Sequence, residues 1–447
     1  MPRVNNSVLL DIQDLRLGMF IQLDVGWMNH PFPANSFKIA SQAQLETLRS
    51  LGLQSVRCIP GKSDNWPQLF GRGRQAGRAT FSNDASPEAQ RSLSEGAGGS
   101  GSEHGRNAAR KGLDVRQWRS RIAYFDARFE EIELVYEGLA QMLARGDQEA
   151  RQPCEALIQE CLAELLGEHE LSIHLLSDAV GYGQNAHVVN VAVLSMLLGR
   201  SMGLTEVQLS ELGLAALLHD AGKLAVGASH LHGLAVAQSL VSEEQRKRYQ
   251  GHVGESVSIA MRLGLSAQVA TAIAQHHEWA DGSGFPLHLL EEDMDLMGQI
   301  LALVDSYERL CNPGHAAVAL QTPHEVLAQL FSSHKHRFAA PVLTAFIQMM
   351  GVFPPGSLVE LSDGSQAMVM SVNVQKPLKP VVMLYQTQRP VEDALLLDLE
   401  QGTGLCIRRG LAPGQVPCEV LDYLSPRRHV CYYFERAAKL DMSKARS

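Results

Sequence analysis

Long apolar runs and paired cysteines are absent from this sequence. No stretch approaches the roughly 20 consecutive apolar residues of a membrane-spanning helix, and the opening segment MPRVNNSVLLDIQDLRLGMF has no signal-peptide core. The seven cysteines form no CxxC pair and no regular framework, which is typical of a reducing compartment. These absences predict a cytoplasmic protein without a transmembrane segment or a disulfide scaffold.

Charged side chains are scarce as well, and acidic ones outnumber basic ones. Only 19% of the residues are charged and the formal net charge is -9, which argues against binding to nucleic acid or anionic membranes. In contrast, 45% of the 447 residues are hydrophobic, enough for the cores of two or three globular domains.

The composition and the apolar period divide the chain into regions. VLLDI, MFIQLDV and SVRCI predict short strands and SQAQLETLRSLG a helix, whereas the polar segment 82–112 predicts a flexible linker. Apolar residues then recur at helical spacing to about residue 350, and from there the period falls to two, through KPVVMLYQTQ and CEVLDYL. The predicted regions are a small α/β module (1–75), a linker (76–112), an all-α domain (113–352), a small β-rich barrel or sheet (353–435) and a tail (436–447).

Titratable side chains interrupt the apolar helices of the middle region. His219 and Asp220 directly follow the apolar run LAALL, where an unpaired charge would be costly to bury. A single histidine in such a place is most often a core residue that donates to a backbone carbonyl. The candidates are seven, however: His187, His219, Asp220, His252, His276, His277 and Asp305.

Seven buried titratable groups need partners, and imidazoles and carboxylates that converge on divalent metal ions supply them. If Asp220 bridges two ions, His187, His219 and Asp305 complete one site, and His252, His276 and His277 complete the other. Nitrogen and oxygen donors of this kind suit first-row metals such as Fe or Mn. Two neighbouring ions are suited to phosphoester hydrolysis.

The motifs HHEWADGSGFP and HDAGK, with the flanking ligand candidates, resemble the HD-GYP family over roughly residues 170–345. These HD-superfamily phosphodiesterases hydrolyse the bacterial second messenger cyclic di-GMP. The segment DLRLGMFIQLDVGWMNHPF is similar to a small domain of unknown function that often precedes the catalytic domain in this family.

The resemblance implies a role for each matching position. It makes the seven candidates metal ligands and gives Asp220 and Lys223 catalytic roles, although a solvated helix end is the alternative for Lys223. It implies substrate contacts for Lys223, Glu308 and Arg309. It places six residues in the signature loop or behind the ligands, where Asp281 would cap or orient the ligand helix: Glu278, Asp281, Gly282, Gly284, Phe285 and Pro286.

Three positions depart from the family pattern. Phe285 replaces the signature tyrosine, and Gly183 stands where some members carry a third-metal glutamate, which favours two ions. The segment DSYERLCNPGHAAVAL lacks the usual basic run after Asp305, where Glu308 replaces an acid and Arg309 would stand in part for the missing base.

We therefore expect a phosphodiesterase that opens cyclic di-GMP to linear pGpG, with a further cut to GMP left open. Two alternatives remain: a non-catalytic signalling adaptor with the same fold, and an HD-type hydrolase of another nucleotide phosphoester. The outer modules are candidate docking sites for protein partners, and the sequence leaves a dimer open.

Overall fold

A computed structural model describes residues 7–23, 32, 36–50, 53–64, 113, 115–167, 170–177, 180, 184–228, 242–313, 321–401, 404–426 and 429–436. The described residues up to Asp64, apart from Phe32, belong to one compact unit, and those from Leu113 onward belong to a second. The predicted linker and nearly all of the predicted tail fall outside the described residues.

The first unit is a small antiparallel sheet with one helix. Its elements are β1 (Val8–Asp11), β2 (Phe20–Gln22), β3 (Ser36–Lys38), α1 (Gln42–Ser50) and β4 (Ser55–Cys58), and the strand order is β1-β4-β2-β3. Alternate strand residues such as Ile21, Val56 and Cys58 are buried, as the period of two requires. The predicted α/β character of this region is confirmed.

The second unit begins with a long series of helices. They are α2 (Val115–Ala144), α3 (Arg151–Leu165), α4 (Gln184–Ser201), α5 (Glu206–Leu218), α6 (Gly222–Ala225), α7 (Glu243–Arg262), α8 (Ala267–Gln275), α9 (Leu296–Cys311), α10 (Pro323–Ser332) and α11 (Ala340–Met350). Helix α2 buries one side chain on almost every turn, among them Phe125, Phe129 and Ile132. Capping boxes, such as Thr205 with Gln208 ahead of α5, fix several of the helix starts.

A seven-stranded sheet completes the second unit. It contains β5 (Leu171–Leu175), β6 (Leu358–Leu361), β7 (Gln366–Asn373), β8 (Val381–Leu384), β9 (Leu395–Asp398), β10 (Ile407–Leu411) and β11 (Tyr432–Arg436). The main path runs β10-β6-β7-β5-β11, and β8 pairs with β7 and β9. Strand β5 comes from the region that the sequence assigned to helices, so the helices and the sheet share one core. The predicted domain boundaries stay predictions.

The segment CEVLDYL is a helix, α12 (Cys418–Leu424), and the prediction of a strand there was wrong. Its buried side chains are Val420, Tyr423 and Leu424, a spacing of three and then one that fits a helix face. The overall prediction is confirmed: an all-α HD-type core follows a small strand-containing module and precedes a β-rich region. No helix among the described residues is long and apolar enough to cross a bilayer.

Two asparagines, one buried and one half-buried, tie β11 to the helices. The side chain of Asn190, on α4, donates to the carbonyl oxygen of Val430 at 3.1 Å and accepts from the amide of Tyr432 at 3.1 Å. Asn312, just after α9, also donates to Val430 at 3.0 Å and accepts from its amide at 2.7 Å. The last strand is therefore joined to two helices that carry metal-ligand candidates.

Candidate metal centre

The seven predicted ligands converge, although they are spread over more than a hundred residues of sequence. His187 lies on α4, His252 on α7 and Asp305 on α9, whereas the others directly follow the helices α5 and α8. All seven side chains are buried. The structure thus brings together every ligand candidate that the sequence indicated.

A glycine allows two of these helices to approach closely. Gly222, the first residue of α6, lies against α7, and a Cβ atom there would overlap the carbonyl oxygen of His252. Its amide donates to the hydroxyl of Ser256 at 2.9 Å. This contact holds the segment after Asp220 against the helix that carries His252.

The first ligand group contains His187, His219, Asp220 and Asp305. The Nε2 atoms of the two histidines lie 3.2 Å apart, and Oδ2 of Asp220 lies 3.4 Å from each of them. Oδ1 of Asp305 is 3.2 Å from Nε2 of His187 and 3.4 Å from Nε2 of His219. Two nitrogens and two oxygens therefore face one small space.

The second group contains His252, His276 and His277 and shares Asp220 with the first. The Nε2 atoms of His252 and His276 are 3.3 Å apart, and Oδ1 of Asp220 lies 3.3 Å and 3.9 Å from them. His277 turns its Nδ1 toward Oδ2 of Asp305, at 3.5 Å. The two oxygens of Asp220 thus point to different groups, as a bridging carboxylate requires.

Hydrogen bonds fix the orientation of the rings. In three of the histidines Nδ1 contacts a backbone carbonyl oxygen, which only accepts, so the proton sits on Nδ1 and the lone pair of Nε2 faces the centre. The acceptors are Ala216 for His219, at 2.7 Å, Ile273 for His276, at 2.6 Å, and Tyr249 for His252. This is the tautomer that binds a metal ion through Nε2.

His187 is oriented by a carboxylate instead. Its Nδ1 contacts Oε2 of Glu308, whose other oxygen accepts from Nδ2 of Asn312 at 2.8 Å. Burial alone would lower the pKa of His187, but the charge of Glu308 raises it to about 10. Glu308 was predicted to contact substrate, and the structure places it behind a ligand histidine, where it strengthens the ring as a donor.

The two ligand groups differ in electrostatics. Burial opposes charge on Asp220, yet His219, Lys223 and Arg309 hold the pKa of that carboxyl well below its usual range. Burial holds the pKa of His276 and the pKa of His277 well below normal. The neighbouring ring of His219 adds to this effect at His276, and the ring of His276 adds to it at His277. Two neutral imidazoles beside an ionised carboxylate are the protonation states that a metal ion needs.

The donor atoms fit divalent metal ions. Within the described part of the chain, Oδ1 of Asp220 and Oδ1 of Asp305 accept no hydrogen bond, although both are buried. Facing imidazole lone pairs about 3 Å apart repel unless a cation lies between them, and bonds of about 2.1 Å at right angles give that separation. Imidazole and carboxylate donors suit first-row metals. The residues can hold two ions that share Asp220.

Lys223 is fully buried, so the alternative of a solvated helix end is wrong. Its Nζ contacts Oδ2 of Asp220 and lies 5.3 Å from the centre of the Tyr249 ring. Burial and then the charge of Arg309 lower the pKa of Lys223 to about 8, against the attraction of Asp220. The lysine is part of the centre itself.

The signature loop closes on the second ligand group. The ring of Phe285 packs 4.6 Å from the ring of His277, and its amide donates to the His277 carbonyl at 3.0 Å. Gly284 leaves room for the chain to cross the backbone of Glu278, which a Cβ atom would overlap. Phe285 therefore serves as a wall beside a ligand ring.

Two acids shape this loop from within. Glu278 is buried and accepts from the amides of Leu287 and Leu289, the latter at 3.0 Å. Asp281 accepts from the amide of Ser283 at 3.0 Å and lies 3.4 Å from Nε2 of His336. In the structure Asp281 orders the turn that includes Gly282 at φ 76°, and Pro286 follows at a cis peptide bond.

Sequence reasoning missed Tyr249. Its hydroxyl lies 3.2 Å from Nε2 of His277, and it stands one helical turn before His252 on α7. That spacing of three was the available signal, because it places both side chains on one helix face. The third-metal position, Gly183, lies outside the described residues.

Two protein-family models match parts of this chain. Residues 165–341 match the family described as HD domain, and residues 7–153 match the domain of unknown function DUF3391. The chain is 27% identical over 387 residues to a cyclic di-GMP phosphodiesterase of Pseudomonas aeruginosa, with 85% of each chain covered.

Two shorter matches each cover less than half of this chain. The chain is 25% identical over 196 residues to a cyclic di-GMP phosphodiesterase of Borreliella burgdorferi, which covers 44% of this chain and 50% of the relative. It is 26% identical over 162 residues to 3'3'-cGAMP-specific phosphodiesterase 3 of Vibrio cholerae, which covers 36% of this chain and 33% of the relative.

Proposed function

This chain belongs to the HD-GYP family and carries a DUF3391 domain ahead of its HD domain, and we propose that it is a phosphodiesterase that hydrolyses cyclic di-GMP. One observation carries the proposal: seven buried ligand side chains converge on two adjoining groups that share Asp220. The names of the Pseudomonas and Borreliella relatives support cyclic di-GMP as the substrate.

Two divalent ions, Fe or Mn, are the proposed cofactors. One would be held by His187, His219, Asp220 and Asp305, and the other by Asp220, His252, His276 and His277. Bound ions of this kind supply Lewis acidity to phosphoryl oxygens and activate a water molecule for in-line attack. The proposed product is linear pGpG, and the second cut to GMP is measured separately.

The chain's own residues prepare the site for this chemistry. Three backbone carbonyls and Glu308 orient four imidazoles, so little reorganisation is needed when substrate enters. Lys223, whose pKa is lowered to about 8 by burial, holds a proton at Nζ beside Asp220. We propose that this ammonium stabilises negative charge on the phosphate as the bond breaks.

The proposed location is the cytoplasm, supported by seven scattered cysteines that form no CxxC pair and no regular framework. The first module and the C-terminal β-rich region are proposed docking sites for protein partners.

A second candidate function is hydrolysis of 3'3'-cGAMP. It is favoured by the match to the Vibrio cholerae enzyme. A non-catalytic adaptor is less favoured, because a protein that catalyses no reaction has no physical need for seven converging ligands.

Turnover by the full chain separates these functions. Protein loaded anaerobically with Fe²⁺ or Mn²⁺ is offered cyclic di-GMP, 3'3'-cGAMP, pGpG and a simple phosphodiester, and products are identified by chromatography. The proposal expects cyclic di-GMP to be cleaved fastest. Preference for 3'3'-cGAMP supports the second candidate, and no turnover of any substrate by metal-loaded protein rejects both.

Variants connect turnover to the ligands. The double change His219→Ala with Asp220→Ala removes ligands from both groups and should abolish metal content and turnover together. His324→Ala is the matched control, since His324 is also buried in the second unit but donates to the carbonyl of Val352 at 2.7 Å. Full activity in the double variant would contradict the assignment of His219 and Asp220 as metal ligands required for turnover.

A further inference from the structure

The side chain of Arg309 lies inside the metal centre. It is one turn beyond Asp305 on α9, and only 7% of it is exposed. Its Nε donates to Oδ2 of Asp305 at 2.8 Å, and its Nη2 donates to Oδ2 of Asp220 at 3.0 Å. One guanidinium therefore joins Asp220, which the two ligand groups share, to Asp305 of the first group.

The contact with Asp305 falls on the oxygen that faces His277, whereas the contact with Asp220 falls on the first group. Oδ2 of Asp220, which accepts from Arg309, is the oxygen that faces His187 and His219, at 3.4 Å from each Nε2. Lys223 contacts the same oxygen. Two side-chain cations therefore already occupy the Asp220 oxygen of the first group.

The Asp220 oxygen of the second group is in a different state. Oδ1 faces Nε2 of His252 at 3.3 Å, and within the described residues no donor forms a hydrogen bond to it. His276 and His277 complete this group with imidazole nitrogens. An ion here gains a carboxylate oxygen without displacing a bound cation.

Charge strengthens the asymmetry. A guanidinium stays protonated at every pH at which the protein is folded, so Arg309 cannot yield its proton to make way for an ion. Its charge lies a few ångströms from the first group in a buried site, where repulsion between like charges is poorly screened. An arginine at this place weakens the binding of a divalent ion that uses Oδ2 of Asp220 as a ligand.

We propose that Arg309 makes the two metal sites unequal, with tight binding at His252, His276, His277 and Asp220 and weak binding at His187, His219 and Asp305. The inference rests on the proposed metal centre but not on the identity of the substrate. Arg309 is then a positioning residue, fixing both carboxylates and setting how much metal the chain needs to be fully loaded.

Titration of metal-depleted full chain with Mn²⁺ tests this, with free Mn²⁺ followed by electron paramagnetic resonance. The wild-type protein should bind one equivalent at least about tenfold more tightly than a second, because of the added like charge. In Arg309→Leu the second equivalent of Mn²⁺ should bind more tightly, so that the affinities of the two sites differ by about threefold or less. Arg262→Leu is the matched control, since Arg262 pairs with Glu255 on the surface of α7.

Two further variants identify the sites. His187→Ala should keep the tight equivalent, whereas His252→Ala should lose it. Arg309→Lys keeps a positive charge and should keep the sites unequal. If Arg309→Leu does not fold, Arg309→Gln replaces it in the titration.

Equal affinity of two ions in the wild-type protein overturns the inference whatever the variants do. An unchanged ratio in folded Arg309→Leu, or loss of the tight equivalent in His187→Ala, also overturns it. The Mn²⁺ titration contains no substrate, so its result is independent of the turnover assay. If the two sites bind Mn²⁺ unequally but the protein does not cleave cyclic di-GMP, only the proposed function is contradicted. Cleavage by a protein with equal sites contradicts only the role of Arg309.

Discussion

The hydroxyl oxygen of Tyr249 lies 3.2 Å from Nε2 of His277, and both side chains are buried. Partners of this kind fix the direction in which a ligand ring points. Tyr249→Phe removes the hydroxyl and keeps the ring, so we expect Mn²⁺ affinity to fall by about tenfold with little change in the fold. Competition with a fluorescent chelator measures it, and Tyr124→Phe, at an exposed tyrosine, should show no fall.

Gly222 predicts a second effect. In Gly222→Ala the new methyl group would overlap the carbonyl oxygen of His252, and α6 must move away from α7. We expect a loss of about 1–3 kcal/mol in unfolding free energy, as for an overpacked core, together with weaker metal binding. Chemical denaturation and metal analysis measure the two changes.

Gly254 supplies the control for that variant. It lies exposed within α7, the helix against which Gly222 packs, and a Cβ atom there meets nothing within 4 Å. Gly254→Ala should stabilise the protein by about 0.5–1 kcal/mol through the better helix propensity of alanine. Equal stability of the two variants would contradict the proposed close contact at Gly222.

His174 predicts a dependence of stability on pH away from the metal centre. Burial, and then the charge of Arg121, lower its pKa to about 3, and Trp118 and Phe125 pack against the ring. The carboxylate of Glu435 lies 3.0 Å from Nε2 but is paired with Arg121. The unfolded chain, with a histidine pKa of about 6.5, therefore binds a proton that the folded chain excludes.

This contribution to stability is complete above about pH 6.5 and declines as the pH falls toward the folded-state value. The loss of unfolding free energy from this group between pH 6.5 and 4.5 is about 2–3 kcal/mol. His174→Phe should remove this part of the pH dependence of the unfolding free energy, whereas His336→Ala, at an exposed site, should leave it in place. Identical slopes for His174→Phe and wild type would refute the assignment.

Phe285 provides a prediction about the signature loop. Because its ring already packs on His277, restoring the family hydroxyl in Phe285→Tyr should change Mn²⁺ affinity and turnover by about threefold or less. Phe285→Ala removes the ring contact and should cost about 1–2 kcal/mol in stability and weaken metal binding. A large gain in turnover for Phe285→Tyr would mean that the missing hydroxyl matters to the chemistry.

The ligand set was readable from the sequence because each ligand interrupts or borders an apolar helix, and burial without a partner would be costly at each one. The partners behind the ligands were not readable. Arg309 reaches Asp220 across 89 residues of sequence, and no local pattern predicts that contact. Tyr249 had only its helical spacing from His252 as a signal.

Strand prediction is also limited by contacts between residues that are far apart in the sequence. Strand β5 is five residues long, and its apolar run looks like part of a helix until its partners Asn373, Val372 and Ser371 are known. The sequence of the helix Cys418–Leu424 predicts a strand, because seven residues are too few to separate the two periods. Pairing with β7 and β11 decides the conformation of β5.

The contacts of Asn190 with Val430 and Tyr432 have a consequence for biosynthesis. Tyr432 is translated 242 residues after Asn190, so the helix that carries His187 leaves the ribosome long before β11 exists to brace it. A nascent chain that has just completed α9 already contains all seven ligands but lacks this support. The site therefore has its full set of supporting contacts only after β11 has been translated.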